Sequence, residues 1–246
     1  MRKQPADVCV LLLQARNLDD PVKVEERASF ARKARLPLSC FITHDLLDGP
    51  PTLEQVLQYD ALMIGGSGDF NVSDRSLPFI EQTFALLREV VGVGHPTLAS
   101  CFGFQILVEA LGGEIVRDAD SMEIGTYDVV ITDAGREDAL FGSLPDVFPA
   151  QFGHKERVVR FPESAMNLAY SELCAYQAIR IPAKPIWATQ FHPELSGNEN
   201  RQRFSRYADM YIGLVGQEEY DRILARFTDS PKTEELIPRF LKMITG

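Results

Sequence analysis

Residues 96–105 read P-T-L-A-S-C-F-G-F-Q, and no other stretch narrows the fold as much. Thr97, Leu98 and Ala99 suit a buried strand, whereas residues 102–111 read as a helix that stops at Gly112 and Gly113. The chain must therefore turn sharply from strand into helix, with Cys101 at the corner. Such a corner lifts its side chain above the end of a sheet and needs small neighbours, here Ala99, Ser100 and Gly103. A helix starting at the corner also aims its first amides at the thiol, which favours the thiolate. An arbitrary unpaired cysteine reads as a core residue; one at this corner reads as a nucleophile.

The surrounding pattern supplies the sheet. Residues 8–13, V-C-V-L-L-L, are a continuous apolar run, as expected of a strand buried on both faces. Asp20 is placed to cap a helix with Pro21 at its first position and Glu25 and Glu26 near its positive end, running to about Arg35. A second strand is expected over 38–42, and the capping box of Thr52 and Gln55 opens a short helix. A third strand, 61–64, ends in the glycine loop 65–69, G-G-S-G-D. Phe79, Ile80, Phe84, Leu87 and Val91 recur at helical spacing, predicting a helix over 77–91. This alternation predicts an α/β fold with a mostly parallel sheet and right-handed crossovers. From 124 to 192 the texture changes to short β-like runs at 127–132, 157–160, 168–170, 174–181 and 186–191, an antiparallel extension. After Pro193 the chain reads as helical near 199–215, 218–227 and 233–244. The expected organisation is a domain over 1–197 with a helical C-terminal extension, 198–246, packed on it.

Composition removes several classes of function. At 246 residues, with 45% hydrophobic and 24% charged residues, the chain suits an ordinary globular domain. Its net charge of -10 argues against a nucleic-acid partner, which needs a basic face. Cys9, Cys40, Cys101 and Cys174 are scattered without a C-x-x-C pair, so no metal site or disulfide framework is expected. The run at 8–13 is too short to span a membrane and lacks a leader-type cleavage site, making a cytoplasmic location the expectation. The loop at 65–69 has neither dinucleotide-fingerprint spacing nor a P-loop lysine, so no cofactor is assigned.

Residues 186–194, I-W-A-T-Q-F-H-P-E, form the second chemical element: a strand delivering His192 and Glu194 at its end. Side chains two apart on extended chain point the same way, so the carboxylate can fix the imidazole's tautomer. A cysteine at a corner, a histidine and an orienting carboxylate satisfy the logic of a catalytic triad.

The pair S-C-F-G-F-Q and Q-F-H-P-E resembles the class I glutamine amidotransferase family, over roughly residues 8–195. The resemblance implies a flavodoxin-like three-layer α/β/α fold and a triad of Cys101, His192 and Glu194 that hydrolyses the glutamine side-chain amide through a thioester. Ala99 stands where the family usually has glycine, a change small enough for the corner to survive. Gly65 and Gly66 match the family's glycine loop. The backbone N–H groups of Gly66 and Phe102 would then form the oxyanion hole, where fixed dipoles stabilise a tetrahedral intermediate. Gln105 matches the family's substrate-contacting glutamine. Gly153, His154, Lys155 and Glu156 resemble its H-x-D/E segment, so His154 either faces the pocket or makes local hydrogen bonds. His44 follows the second strand and borders the expected cleft, whereas His95 lies on the far side. Cys9, Cys40 and Cys174 fall in β-like runs and read as core.

No synthetase module is visible after Leu195, so released ammonia would pass to a separate acceptor enzyme, a synthetase subunit. Two alternatives stand beside this reading: a stand-alone hydrolase of γ-glutamyl peptides or amides, and a catalytically inactive regulatory or binding subunit. The tail leaves three roles open, namely covering the sheet edge, contacting a second copy in a homodimer, or docking a synthetase.

Overall fold

The computed structural model describes residues 8–75 and 77–246. Its first half comprises β1 (Val10–Ala15), α1 (Val22–Ala34), β2 (Phe41–Asp45), α2 (Leu53–Val56), β3 (Ala61–Ser67), α3 (Ile80–Val93), β4 (Thr97–Ser100) and α4 (Phe102–Ala110). There follow β5 (Glu114–Arg117), β6 (Glu123–Ile131), α5 (Asp133–Arg136), β7 (Val147–His154), β8 (Glu156–Arg160), β9 (Met166–Tyr170), β10 (Ala178–Arg180) and β11 (Ile186–Thr189). The tail holds α6 (Gly197–Arg206), α7 (Ala208–Val215), α8 (Gln217–Ala225), α9 (Pro231–Glu234) and α10 (Leu236–Thr245).

Nine of the described strands form one sheet in the order β2-β1-β3-β4-β11-β10-β9-β6-β7, and β5 pairs with β8 separately. The first five run parallel, and the last four extend the sheet antiparallel. Both faces are covered, which is why the central strands read as unbroken apolar runs. Val10 and Leu12 pack with Phe30, Trp187 and Phe240 on one face, while Leu11 and Leu13 pack with Phe84, Leu87 and Phe104 on the other. Register brings three strand ends together: Ile64 of β3 pairs with Ala99 of β4, and Ser100 pairs with Thr189 of β11. Every residue that follows these ends emerges at one edge of the sheet, as ligand-binding groups do in open parallel sheets.

The α/β architecture and the antiparallel extension are as expected, with several local corrections. Residues 38–40 form a turn of 3-10 helix instead of a strand start, because β2 begins only at Phe41. Cys40 therefore lies in that turn, and Cys9 precedes β1. Helix α1 starts at Val22, leaving Pro21 as its cap residue, although Asp20 Oδ1 still accepts the Val22 N–H at 2.8 Å. Strand β3 runs on through both glycines to Ser67. The expected run over 174–181 shrinks to β10, and Cys174 lies buried in the loop before it. His44 sits within β2, its Nε2 2.7 Å from the Gly49 carbonyl oxygen, and does not border the cleft. No helix among the described residues is long and apolar enough to cross a membrane.

The expected boundary at 197/198 falls inside the first turn of α6. That helix opens with a capping box in which Ser196 and Glu199 satisfy each other's backbone amides, at 3.3 Å to Glu199 N and 2.7 Å to Ser196 N. Glu199 also meets Arg32 and Lys33 of α1, tying the helix to the main domain. Burial alone would raise its pKa, but the Ser196 hydrogen bonds and the two cations pull it down to about 2. A carboxyl lowered in the folded state stabilises the fold above its ordinary value near 4.5 and loses that contribution as pH falls toward about 2. Glu199→Gln is therefore expected to destabilise the protein at pH 7 by about 1–2 kcal/mol, with the difference closing below pH 3. Urea titrations of both proteins from pH 7 to 2 measure this, and a gap unchanged with pH contradicts it.

Candidate active site

Cys101 occupies the corner between β4 and α4 with φ 52° and ψ -105°, a left-handed conformation that a non-glycine residue adopts at a cost of about 1–3 kcal/mol. Its N–H donates to the Thr189 carbonyl oxygen at 2.8 Å, pinning the corner to the end of β11. Gly103 is required two residues later, since a Cβ there would lie 2.7 Å from the Ile64 carbonyl oxygen. Ala99 is wholly buried between the packed strands and helices, so its methyl group is accommodated beneath the corner.

Strand β11 stops at Thr189, so His192 and Glu194 lie in the turn beyond it instead of on extended chain. They still meet: His192 Nδ1 is 2.6 Å from Glu194 Oε1, and the His192 ring and the Cys101 side chain both lie against Gly66, 3.0 and 3.8 Å from where its Cβ would be. The His192 N–H donates to the Gln151 carbonyl oxygen at 2.8 Å, so β7 fixes the turn from the other side. Burial disfavours the imidazolium, but Glu194 and Cys101 together outweigh it and raise the His192 pKa to about 10. Burial likewise opposes ionisation of Glu194, and His192 with Arg203 draws its pKa below the ordinary carboxylate value. Arg203 Nη1 is 3.7 Å from Glu194 Oε1.

The remaining expected residues divide. Phe102 opens α4, where first-turn amides have no partner within the helix. Gly66 stands beside the site, its α-carbon so close that a Cβ would come 3.0 Å from His192 Cε1. Its N–H, however, donates to Glu26 Oε1 at 3.1 Å. Gly65 packs against the same carboxyl, 2.6 Å from where its Cβ would be. Gln105 lines the cavity, but its Nε2 is engaged by Gln190 Oε1 and the Glu156 carbonyl oxygen, each at 3.1 Å. His154, also on the cavity wall, is the last residue of β7, with Nδ1 2.8 Å from the Glu156 carbonyl oxygen and Nε2 2.9 Å from Glu123 Oε2. His95 is buried just before β4, at the opposite end of the strand from Cys101.

Those last contacts belong to a second grouping of the same residue types, Glu123, His154 and Cys174, whose ligand atoms lie within 4.8 Å of one another. Its groups face inward on each other. Both His154 nitrogens are occupied, and Glu123 also accepts from Ser171 at 2.6 Å and from Gln177. Burial and the adjacent Glu123 charge push the Cys174 thiol well above its ordinary pKa, away from the reactive thiolate. Neither a nucleophile nor open metal coordination is available there without breaking those bonds.

Sequence reading passed over part of the cavity wall. Arg16, just after β1, lines the cavity, and Glu26 of α1, a second buried charge behind that wall, meets it at 2.9 Å. From α6 and α7 come Arg203, Phe204, Tyr207 and Tyr211, with the Lys155 ammonium 5.7 Å from the Tyr211 ring centroid. That Phe204, Tyr207 and Tyr211 line the same cavity as Cys101 is a fact of tertiary structure.

Residues 43–208 match the family model for glutamine amidotransferase class-I. Among curated proteins the chain is similar to the glutamine-hydrolyzing GMP synthase subunit of Methanococcus aeolicus, 36% identical over 140 residues, covering 57% of this chain and 72% of that one. The protein of the same description from Methanosphaera stadtmanae is 27% identical over 69% of this chain and 87% of its own. Among solved structures, a glutamine amidotransferase from Thermotoga maritima superposes with a TM-score of 0.72 at 21% identity, over 97% of this chain and 98% of that one. The family match covers β4, α4, β11 and the His192 turn, and by it the chain belongs to the class I glutamine amidotransferase family.

Proposed function

We propose that the protein is the glutaminase component of a two-chain amidotransferase, with Cys101, His192 and Glu194 as its catalytic residues. The observation that carries this reading is that Cys101 and His192 line one cavity and both lie against Gly66, with Glu194 2.6 Å from the imidazole, at the ends of two adjacent parallel strands. An inactive binding subunit would have no need to keep it.

Cys101 sulfur attacks the side-chain carbonyl carbon of glutamine, and the C=O electron pair moves to oxygen. The Phe102 N–H, at the positive end of α4, and the glycine-loop amide stabilise that oxyanion. His192 is protonated at rest by virtue of its raised pKa and gives its proton to the departing nitrogen, leaving a thioester and ammonia. Neutral His192 then takes a proton from water as it attacks the thioester, releasing glutamate and returning Cys101 and His192 to their starting state. Glu194 holds the ring and stabilises its charge throughout. The relatives named as GMP synthase subunits suggest the destination of the ammonia: a separate synthetase chain that aminates a nucleotide.

Cys101→Ala is expected to lower glutamine-dependent ammonia release roughly 10⁴-fold or more, and Cys174→Ala to leave it within about twofold. His192→Ala should cost roughly 10⁴-fold and Glu194→Ala less, roughly 10²-fold, in a coupled glutamate assay. Release unaffected by Cys101→Ala contradicts the reading, and faster turnover of γ-glutamyl peptides than of glutamine would replace the substrate. Because Cys101 raises the His192 pKa, its loss in Cys101→Ala should shift the His192 NMR titration downward from about 10. An unshifted titration places the two groups out of contact.

A further inference from the structure

The Gly66 amide cannot serve an oxyanion while it serves Glu26. The Glu26 carboxyl is wholly buried, and its Oε1 accepts from both Gly66 N at 3.1 Å and Arg16 Nη2 at 2.9 Å, while Oε2 accepts from Gln14 Nε2 at 2.9 Å. Arg16 is itself held through Nη1 by Asp20 Oδ2 at 3.1 Å and the Tyr207 hydroxyl at 3.2 Å, and that hydroxyl donates to Asp20 at 2.9 Å. The loop rests directly on these groups. A Cβ on Gly65 would lie 2.6 Å from the Glu26 carboxyl carbon, and one on Gly68 would lie 2.9 Å from the Tyr207 hydroxyl oxygen. On its other side Gly66 faces His192 and Cys101.

Resting on the catalytic reading above, we infer that Glu26 is a positioning residue that holds the Gly66 amide off the reacting centre and must surrender it for the oxyanion hole to close. A single N–H directed at the carboxylate is unavailable to a developing negative charge on the Cys101 side. Turning the peptide unit between residues 65 and 66 transfers it, and that unit is flanked by two glycines, the residues for which such a rotation meets least steric resistance. The rotation has to break a hydrogen bond to a charged, fully buried acceptor, which is stronger than a bond to a neutral one. Glu26 thereby restrains turnover without touching substrate.

The test is Glu26→Gln, which keeps the shape but makes the acceptor neutral. The expected result in steady-state glutamine hydrolysis is a kcat raised about fivefold with KM changed less than twofold. An unchanged or reduced kcat in a cooperatively folded variant overturns the proposal. Should the variant fail to fold, the wild-type protein labelled with ¹⁵N-glycine decides. On addition of glutamate γ-semialdehyde, whose carbonyl carbon forms a thiohemiacetal with Cys101, the Gly66 amide resonance is expected to shift as it leaves Glu26. A resonance that stays in place once the adduct mass is present overturns the proposal. Absence of both the adduct and any Cys101-dependent ammonia, in wild type and variant alike, overturns the glutaminase reading and this proposal with it.

Discussion

The site depends on one backbone constraint: Cys101 held in a left-handed conformation at the junction of β4 and α4. Neighbouring features serve that corner. The Cys101 N–H bonded to Thr189 ties it to β11, and the parallel register of β4 with β11 sets the two strand ends level. Gly103 lets α4 start against the Ile64 backbone, where any side chain would collide. Because β11 ends beside the corner, the turn that follows has only a short distance to cover before His192 reaches the thiol. A strained cysteine, a helix start and a strand-end histidine thus form one mechanical unit, its strain offset by the buried sheet beneath.

Around this unit the structure places two shells of charge with different tasks. His192 and Glu194 face each other at 2.6 Å, with Arg203 3.7 Å from the same carboxyl oxygen. Arg16, Glu26, Asp20 and Tyr207 form a second buried set under the glycine loop, reaching from β1 and α1 to the end of α6. Tail residues contribute to both, since Arg203 belongs to the first set and Tyr207 to the second. The tail is therefore part of the cavity wall, which none of the three roles left open by its sequence had included.

The legible parts of the sequence were those governed by local rules. Residues 96–105 announced a corner because small residues must surround it, and residues 190–194 carried His192 and Glu194 within one short stretch. The strand alternation followed from apolar periodicity. What stayed hidden depends on which distant groups meet in space. Glu26 read as a dipole-complementing residue of α1, yet tertiary packing turns it inward to Gly66, forty residues away. Strand β7, which ends at His154, had no counterpart among the expected runs because, carrying Pro149 and Gly153, it lacks a clean alternation, and Cys174 read as strand because its apolar neighbours masked a buried loop. The His192 turn was misread as extended chain, although the side-chain meeting inferred from it is present in the turn.

The central claim is that Cys101, and not another thiol, is the nucleophile. It is tested most directly by treating the protein with a chloroketone analogue of glutamine and locating the adduct by peptide mass spectrometry. The predicted result is stoichiometric modification of Cys101, slowed by free glutamine and lost in His192→Ala, with Cys9, Cys40 and Cys174 unmodified. A glutamine-protected adduct on Cys174, or labelling of Cys101 that glutamine does not slow, would contradict it.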